Sequence, residues 1–216
     1  MDLQQNLRKY AELILKVGLN IQPGDNILLR LDEHGMGVHQ IYPVFSDDAL
    51  TLARFELAPD AAFDEYPAFF TDFTEGAYLN NFHLLSLSAP NPELLKEVDP
   101  GRISRWQKVT SIAGERVMKY VMENRVKWSI AALPSTAWAK AVFPQLEEQE
   151  AMERLWASIF HVTRVDQDDP VAAWMAHEQQ LRAHEELLNG YAFDKLLFEG
   201  PGTDLEVYLP EGHRWM

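Results

Sequence analysis

The seven residues Phe82-His83-Leu84-Leu85-Ser86-Leu87-Ser88 form a mainly apolar run of the length of a buried strand. Asp99-Pro100 then begins a helix that extends to about Asn124, and residues 125–133 alternate in a way that predicts the next strand. The same alternation of strands and helices recurs along the chain as far as residue 160. We therefore predict an α/β fold in which helices flank a layered, mostly parallel sheet.

The N-terminal segment predicts a helix followed by two strands. The helix would end at Gly18 and bury one face, made by Leu3, Leu7, Tyr10, Ile14 and Val17. Residues 26–31 and 37–45 predict strands, although Pro43 is unfavourable within the second. Only residues 32–36 separate the two strands, whereas a parallel pair needs a crossover of about a dozen residues or more. The strands therefore form either an antiparallel hairpin or a parallel pair whose crossover helix is missing.

A dense group of aromatic residues follows Pro59-Asp60, on a segment that we predict to be helical. Its members are Phe63, Tyr66, Phe69, Phe70 and Phe73. Aromatic side chains in such numbers usually belong to a hydrophobic core rather than to a cofactor site. We therefore expect them to be buried.

The pattern changes between residues 160 and 192. A helix is expected to begin at Asp168-Asp169-Pro170 and to end at Asn189-Gly190. Two strands follow, residues 193–198 and 205–209, separated by Gly200-Pro201-Gly202. We predict an N-terminal α/β domain of residues 1–165. Residues 166–216 would be a connecting helix and the beginning of a more β-rich second lobe.

Composition and charge exclude several classes of protein. The 216 residues carry a formal net charge of −14, which disfavours binding to nucleic acid or to anionic membranes. There is no cysteine, so disulfides and a thiolate nucleophile are excluded and any metal would need His and carboxylate ligands. The first residues lack the basic and apolar pattern of a secretory signal, and no apolar run is long enough to span a membrane. We expect a cytoplasmic protein.

The histidines do not show the spacing of a metal site. His177 and His184 are seven positions apart on one predicted helix, about 10.5 Å along its axis, which is too far for one zinc ion. His34, His39, His83 and His161 occur singly. His213, two residues before Trp215 in a predicted turn, is a candidate for a site, although a structural role is the more common explanation.

The glycine-rich segment Gly200-Pro201-Gly202-Thr203-Asp204 lacks both common phosphate-binding patterns and joins two strands. A tight turn is the better interpretation. The serines show no G-x-S-x-G elbow, so the sequence gives no sign of a serine hydrolase.

Several motifs, taken in chain order, resemble the aminopeptidase T / aminopeptidase S family of metal-dependent aminopeptidases. The C-terminal ones are D-P-V-A-A-W at 169–174, G-P-G-T-D-L at 200–205 and L-P-E-G-H-R-W at 209–215. Further motifs lie at 10–13, 17–20, 91–95, 134–139 and 163–166. The resemblance runs almost from end to end. It implies the N-terminal part of such an enzyme, with the C-terminal metal-binding lobe missing.

The resemblance also implies an activity and its cofactors. Members of the family remove N-terminal residues from peptides by metal-assisted hydrolysis, usually as homodimers, and hold two divalent metal ions such as zinc, cobalt or manganese. Their metal ligands and catalytic tyrosine come well after the G-H-x-W motif. The resemblance therefore assigns no catalytic and no metal-binding residue to this chain, and we expect the chain alone to be inactive.

Five positions are marked by the resemblance as signature residues that could line a cleft: Gly200, Gly202, Asp204, His213 and Trp215. It also favours the loss of a crossover helix near residues 32–36 over a hairpin. The alternative function is a noncatalytic binding or dimerisation module derived from the same family.

Overall fold

A computed structural model of the chain describes residues 2–22, 25–31 and 41–216. Its helices are α1 (Leu3–Leu13), α2 (Asp48–Leu57), α3 (Ala68–Leu79), α4 (Pro100–Met122), α5 (Thr136–Val142), α6 (Glu148–Val162) and α7 (Pro170–Tyr191). Its strands are β1 (Asn26–Leu31), β2 (Ile41–Phe45), β3 (Phe82–Ser88), β4 (Trp128–Ala132), β5 (Lys195–Gly200) and β6 (Thr203–Tyr208). A π-helical segment, Ile14–Gly18, continues α1. The chain divides into two compact units, Met1–Asp168 and Asp169–Met216.

The sheet of the first unit consists of four parallel strands in the order β2-β1-β3-β4. The predicted α/β fold with a parallel sheet and flanking helices is confirmed. β1 and β2 pair in parallel, with Ile27 opposite Ile41, so the antiparallel hairpin is wrong. Pro43 lies in the edge strand β2, where a missing N–H is tolerated. Residues 32–40 lie outside the described residues, and the loss of a crossover helix there stays a prediction.

Helices pack on both faces of this sheet because successive strand residues point to opposite sides. On one face, Leu28 of β1 forms a buried cluster with Tyr78 of α3 and Val117 of α4. On the other face, the edge of the Tyr10 ring of α1 meets Phe160 of α6, with centroids 6.1 Å apart. Both helices of this second pair present apolar residues at helical spacing, which explains why they bury one side only.

Five helices begin with a side-chain cap. The capping residues accept a hydrogen bond from a first-turn N–H group and are Asp2, Asp47, Asp99, Ser135 and Asp169. Such caps satisfy N–H groups that have no partner within the helix. The helix starts predicted at Asp99-Pro100 and Asp169-Pro170 are confirmed.

The aromatic group after Pro59 is only partly buried. Phe63 has no exposed surface and stacks on Phe55, with ring centroids 5.2 Å apart. Three phenylalanines of α3, however, expose 45–62% of their surface: Phe69, Phe70 and Phe73. The expected core position is therefore wrong for these three residues, because α3 turns Thr71, Thr74 and Tyr78 inward instead.

The second unit contains α7 and the antiparallel hairpin β5–β6. The register places four apolar residues on one face of the hairpin: Leu196, Phe198, Leu205 and Val207. The opposite face carries an ion pair between Lys195 and Glu206 at 3.1 Å. Whether the two units are independent domains with a boundary after residue 165 stays a prediction. None of the described helices has the length and apolarity that crossing a membrane requires.

Candidate functional sites

The glycine-rich segment of the second unit is the turn of the β5–β6 hairpin. Gly200 and Thr203 are paired at its base, and Gly202 has φ +78°. Proline at the second position and a positive φ at the third are the features of a type II turn, which explains the order Pro201-Gly202. Asp204 lies opposite Glu199 and is exposed. No ligand-binding geometry among described residues accompanies this turn, so its role as a cleft wall stays a prediction.

The G-H-x-W motif folds back onto the end of α7. The Asn189 side chain donates to the Trp215 carbonyl at 3.0 Å and accepts from the Trp215 N–H at 2.9 Å. His213 Nδ1 lies 3.1 Å from the carbonyl oxygen of Pro210 and its ring meets Trp215 edge to face. Since a carbonyl only accepts, Nδ1 is the donor in this contact. The structure thus brings His213 and Trp215 together with Asn189, a residue that sequence reasoning missed.

The remaining described histidines do not assemble a metal site. On α7, His177 is half-buried with its ring against Trp174 and His184 is exposed, and His161 pairs at the surface with Asp166 at 2.8 Å. Among residues 2–22, 25–31 and 41–216, no group of three or more His, Asp and Glu side chains is placed to hold a metal ion. His34 and His39 lie outside the described residues. The donor set of the described chain therefore does not fit the metal pair that the family resemblance implies.

A partly buried ionic cluster is centred on Asp25, just before β1. One carboxylate oxygen accepts from Lys127 Nζ at 2.5 Å and from the Gln22 N–H at 2.9 Å. The other lies 3.5 Å from His83 Nε2. Lys127 also donates to the carbonyl of Asn20 at 2.8 Å, and its own N–H donates to His83 Nδ1 at 3.3 Å.

These contacts shift the pKa of two members in ways that follow from charge and burial. Hydrogen bonds from Lys127 and Gln22 lower the pKa of Asp25 to about 2. Burial lowers the pKa of His83, partly opposed by the neighbouring Asp25 carboxylate. At neutral pH the Asp25 carboxylate therefore lies beside a neutral His83 ring. In the sequence His83 stands alone, since Asp25 and Lys127 are distant in the chain.

The position of this cluster argues for a structural role. Asp25, His83 and Lys127 lie at the amino ends of β1, β3 and β4. Open α/β sheets bind ligands at the opposite edge, outside the carboxyl ends of the strands. The cluster therefore ties three parallel strands together at their amino ends.

The carboxyl-end side of the sheet has a cavity of about 330 Å³ between β1–β3 and α3. Its lining includes the half-exposed Phe70 and Phe73, with Ser46, Thr74 and Ser86 as polar groups. No carboxylate, imidazole or ammonium group of the described residues lines it. The cavity suits an apolar side chain, and its polar side-chain groups among the described residues are the hydroxyls of Ser46, Tyr66, Thr74 and Ser86.

Comparisons with known proteins identify the family to which the chain is related. The sequence model of the family described as Thermophilic metalloprotease (M29) matches residues 3–216. Aminopeptidase 2 of Geobacillus stearothermophilus is 38% identical over 225 residues, covering 98% of this chain and 54% of the relative. Aminopeptidase T of Thermus aquaticus is 38% identical over 224 residues, with 98% and 55% covered. Wild-type AmpT from Thermus thermophilus has a similar structure, with a TM-score of 0.90 and 33% identity over 99% of this chain and 55% of that one.

The chain thus spans about half the length of the curated relatives that it matches. The 225-residue alignment is longer than this chain of 216 residues, so the relative carries residues that have no counterpart here. The resemblance to the aminopeptidase T / aminopeptidase S family is confirmed. The chain belongs to the thermophilic metalloprotease family M29 and corresponds to the N-terminal part of its members.

Proposed function

We propose that this chain forms the N-terminal part of a metal-dependent aminopeptidase that removes N-terminal residues from peptides. The observation that carries the proposal is the match to the M29 family over residues 3–216 together with the TM-score of 0.90 to AmpT. The whole enzyme would use two divalent metal ions, zinc, cobalt or manganese, in a cytoplasmic homodimer. The cysteine-free composition agrees with the cytoplasm.

The metal ions would be held by residues other than the described ones. No three-ligand group occurs among them, and the cavity at the carboxyl ends of the strands is lined by apolar side chains and hydroxyl groups of the described residues. We therefore assign no catalytic step to this chain. Its contribution is a parallel sheet fixed by the Asp25 cluster and a hairpin with one apolar face, on which further structure can pack.

The first test is hydrolysis of a leucine chromogenic substrate by the 216-residue chain with zinc, cobalt or manganese, and a chelator control. We expect no chelator-sensitive turnover. Turnover that the chelator abolishes would contradict the assignment, and the described His and carboxylate residues would need testing as ligands, beginning with His213.

The second test distinguishes an enzyme lobe from a noncatalytic module. In a chimera, this chain replaces the matching part of aminopeptidase T from Thermus aquaticus, which serves as the active control. We expect chelator-sensitive hydrolysis from the chimera. A chimera that folds but does not turn over would favour a noncatalytic binding or dimerisation module, an alternative that the exposed phenylalanines of α3 also favour.

A further inference from the structure

We propose that the outer edge of β4 is a docking site for an extended segment of a partner protein, which adds to the sheet as a fifth strand. The inference goes beyond the proposed function and does not depend on it, since it concerns the first unit and no catalytic step. It rests on the backbone and side chains of β4 and on the net charge of the chain.

The backbone of β4 faces β3 with every second residue. The Leu84 N–H donates to the Lys127 carbonyl at 3.0 Å, and the Leu133 N–H donates to the Ser88 carbonyl at 2.7 Å. Both Lys127 and Leu133 therefore direct backbone groups toward β3. Because successive residues of a strand alternate in direction, the even-numbered residues of β4 direct their N–H and carbonyl groups to the outer edge.

Among the described contacts, the outward N–H and carbonyl groups are hydrogen-bonded at one of these residues, Ala132. The Tyr10 hydroxyl donates to the Ala132 carbonyl and accepts from the Ala132 N–H, each at 3.1 Å. The outward groups of Trp128 and Ile130 have no partner within the part of the chain that the structure describes. Two donors and two acceptors thus stand at the spacing of a strand, which is a template for pairing.

The side chains of the same two residues add an apolar surface beside these backbone groups. Trp128 is 47% exposed and Ile130 is 66% exposed, and both project from one face of the sheet. On the opposite face, Ala131 is buried and Ser129 contacts Gly18. No residue of β4 is charged or proline, the residue types with which edge strands discourage pairing, whereas the other edge strand carries a proline.

The apolar area exposed at this edge favours binding of a single strand over binding of a second copy of the chain. Two side chains of this size expose on the order of 300 Å² at most. A stable dimer buries about 800 Å² on each partner. Tyr10 closes the edge at Ala132, so the occupant pairs only with Trp128 and Ile130 and is about five residues long.

The net charge of the chain restricts the charge of the segment that can bind. The chain has a net charge of −14, which disfavours pairing of this edge with the same edge of another acidic copy. The occupant that fits best is a basic extended segment with β-branched apolar side chains at every second position. Main-chain hydrogen bonds would provide the affinity, and the contact with Trp128 and Ile130 the specificity.

The test uses the peptide acetyl-Lys-Val-Lys-Val-Lys-Val-amide, with acetyl-Lys-Lys-Lys-Val-Val-Val-amide as a control of equal charge. NMR titration of the 216-residue chain measures binding and amide exchange at Trp128 and Ile130. We expect the alternating peptide to slow exchange of both amides at least tenfold and to bind at least tenfold more tightly than the control peptide.

Two variants separate the backbone from the side chain. Ile130→Pro removes an outward N–H without removing a bond to β3, and we expect binding to weaken at least tenfold. Ile130→Lys retains the N–H and adds a charge that repels the peptide, which keeps the test available if the proline variant fails to fold. Equal binding by both peptides, unchanged binding by the variants, no binding, or a wild-type dimer that already protects both amides would each overturn the proposal.

Discussion

Replacement of Asp25 by asparagine tests whether the partly buried ionic cluster stabilises the sheet. The pKa of Asp25 is lowered from an ordinary value of 3.8 to about 2, chiefly by the hydrogen bond from Lys127. A shift of nearly two pH units corresponds to about 2 kcal/mol of folding free energy at neutral pH. The Asp25 side chain is 12% exposed but that of Lys127 is 32% exposed, so solvent partly screens the pair and about 2 kcal/mol is an upper bound.

The pH dependence of this contribution has a definite sign. A carboxylate whose folded pKa is lowered stabilises the folded state fully above the unfolded pKa of 3.8. The contribution is lost as the pH falls toward the folded value of about 2, and about half of it remains at pH 3. The difference in the free energy of unfolding between wild type and Asp25→Asn, measured by urea denaturation with circular dichroism, should therefore fall by about half between pH 5 and pH 3.

An exposed ion pair provides the matched control. Glu12 and Lys16 form an i,i+4 pair in which both side chains are more than half exposed, so Glu12→Gln should cost only a few tenths of a kcal/mol. A loss at Asp25→Asn no larger than this would refute the reasoning. So would a difference from wild type that is as large at pH 3 as at pH 7.

His83 should act at higher pH than Asp25. Its pKa is lowered from 6.5 by burial, so the folded state favours the neutral ring and binds fewer protons than the unfolded state below pH 6.5. Its contribution is greatest above pH 6.5 and decreases as the pH falls. We expect His83→Gln to flatten the unfolding free energy between pH 7 and pH 5, and an unchanged slope in the variant would contradict the assignment.

Three further substitutions probe other contacts. Gly18→Ala would place a Cβ 2.8 Å from the Ser129 hydroxyl oxygen, so we expect a loss of about 1 kcal/mol in urea denaturation that Ser129→Ala restores. Tyr10→Phe removes the hydroxyl that caps the edge of β4, with an expected loss of about 1–2 kcal/mol; a thermal unfolding midpoint equal to wild type would count against that cap. Asn189→Ala should lower the protection of the Trp215 amide in hydrogen exchange, whereas equal protection would show that the paired hydrogen bonds are unimportant.

Local chemistry predicted much of the fold. Asp99-Pro100 and Asp169-Pro170 place a capping carboxylate before a residue that needs no N–H partner, and helices begin at both. The run of residues 82–88 has the length and apolarity of a strand, and it forms β3. These signals act within a few residues, so they are legible in the sequence without knowledge of distant contacts.

Other features depend on contacts between distant residues. The sequence did not indicate that Asp25, His83 and Lys127 meet. These residues come together because β1, β3 and β4 pair in parallel, and that pairing cannot be read from any one segment. Nor did it indicate that α3 would turn Thr71 and Thr74 inward and leave phenylalanines outside, since aromatic content does not specify which face of a helix packs. The motif that includes His213 and Trp215 was visible, but its hydrogen bonds to Asn189 were not.

The apolar face of the β5–β6 hairpin has a consequence for the order in which parts of the molecule open. An isolated pair of strands is marginally stable in water, because it has few neighbours to share the entropic cost of ordering. Phe198 and Leu205 remain about half exposed, and every residue of β6 is exposed. We therefore expect amide protons of the hairpin to exchange through brief local opening, and those at the buried Leu28 to exchange only when the whole first unit unfolds.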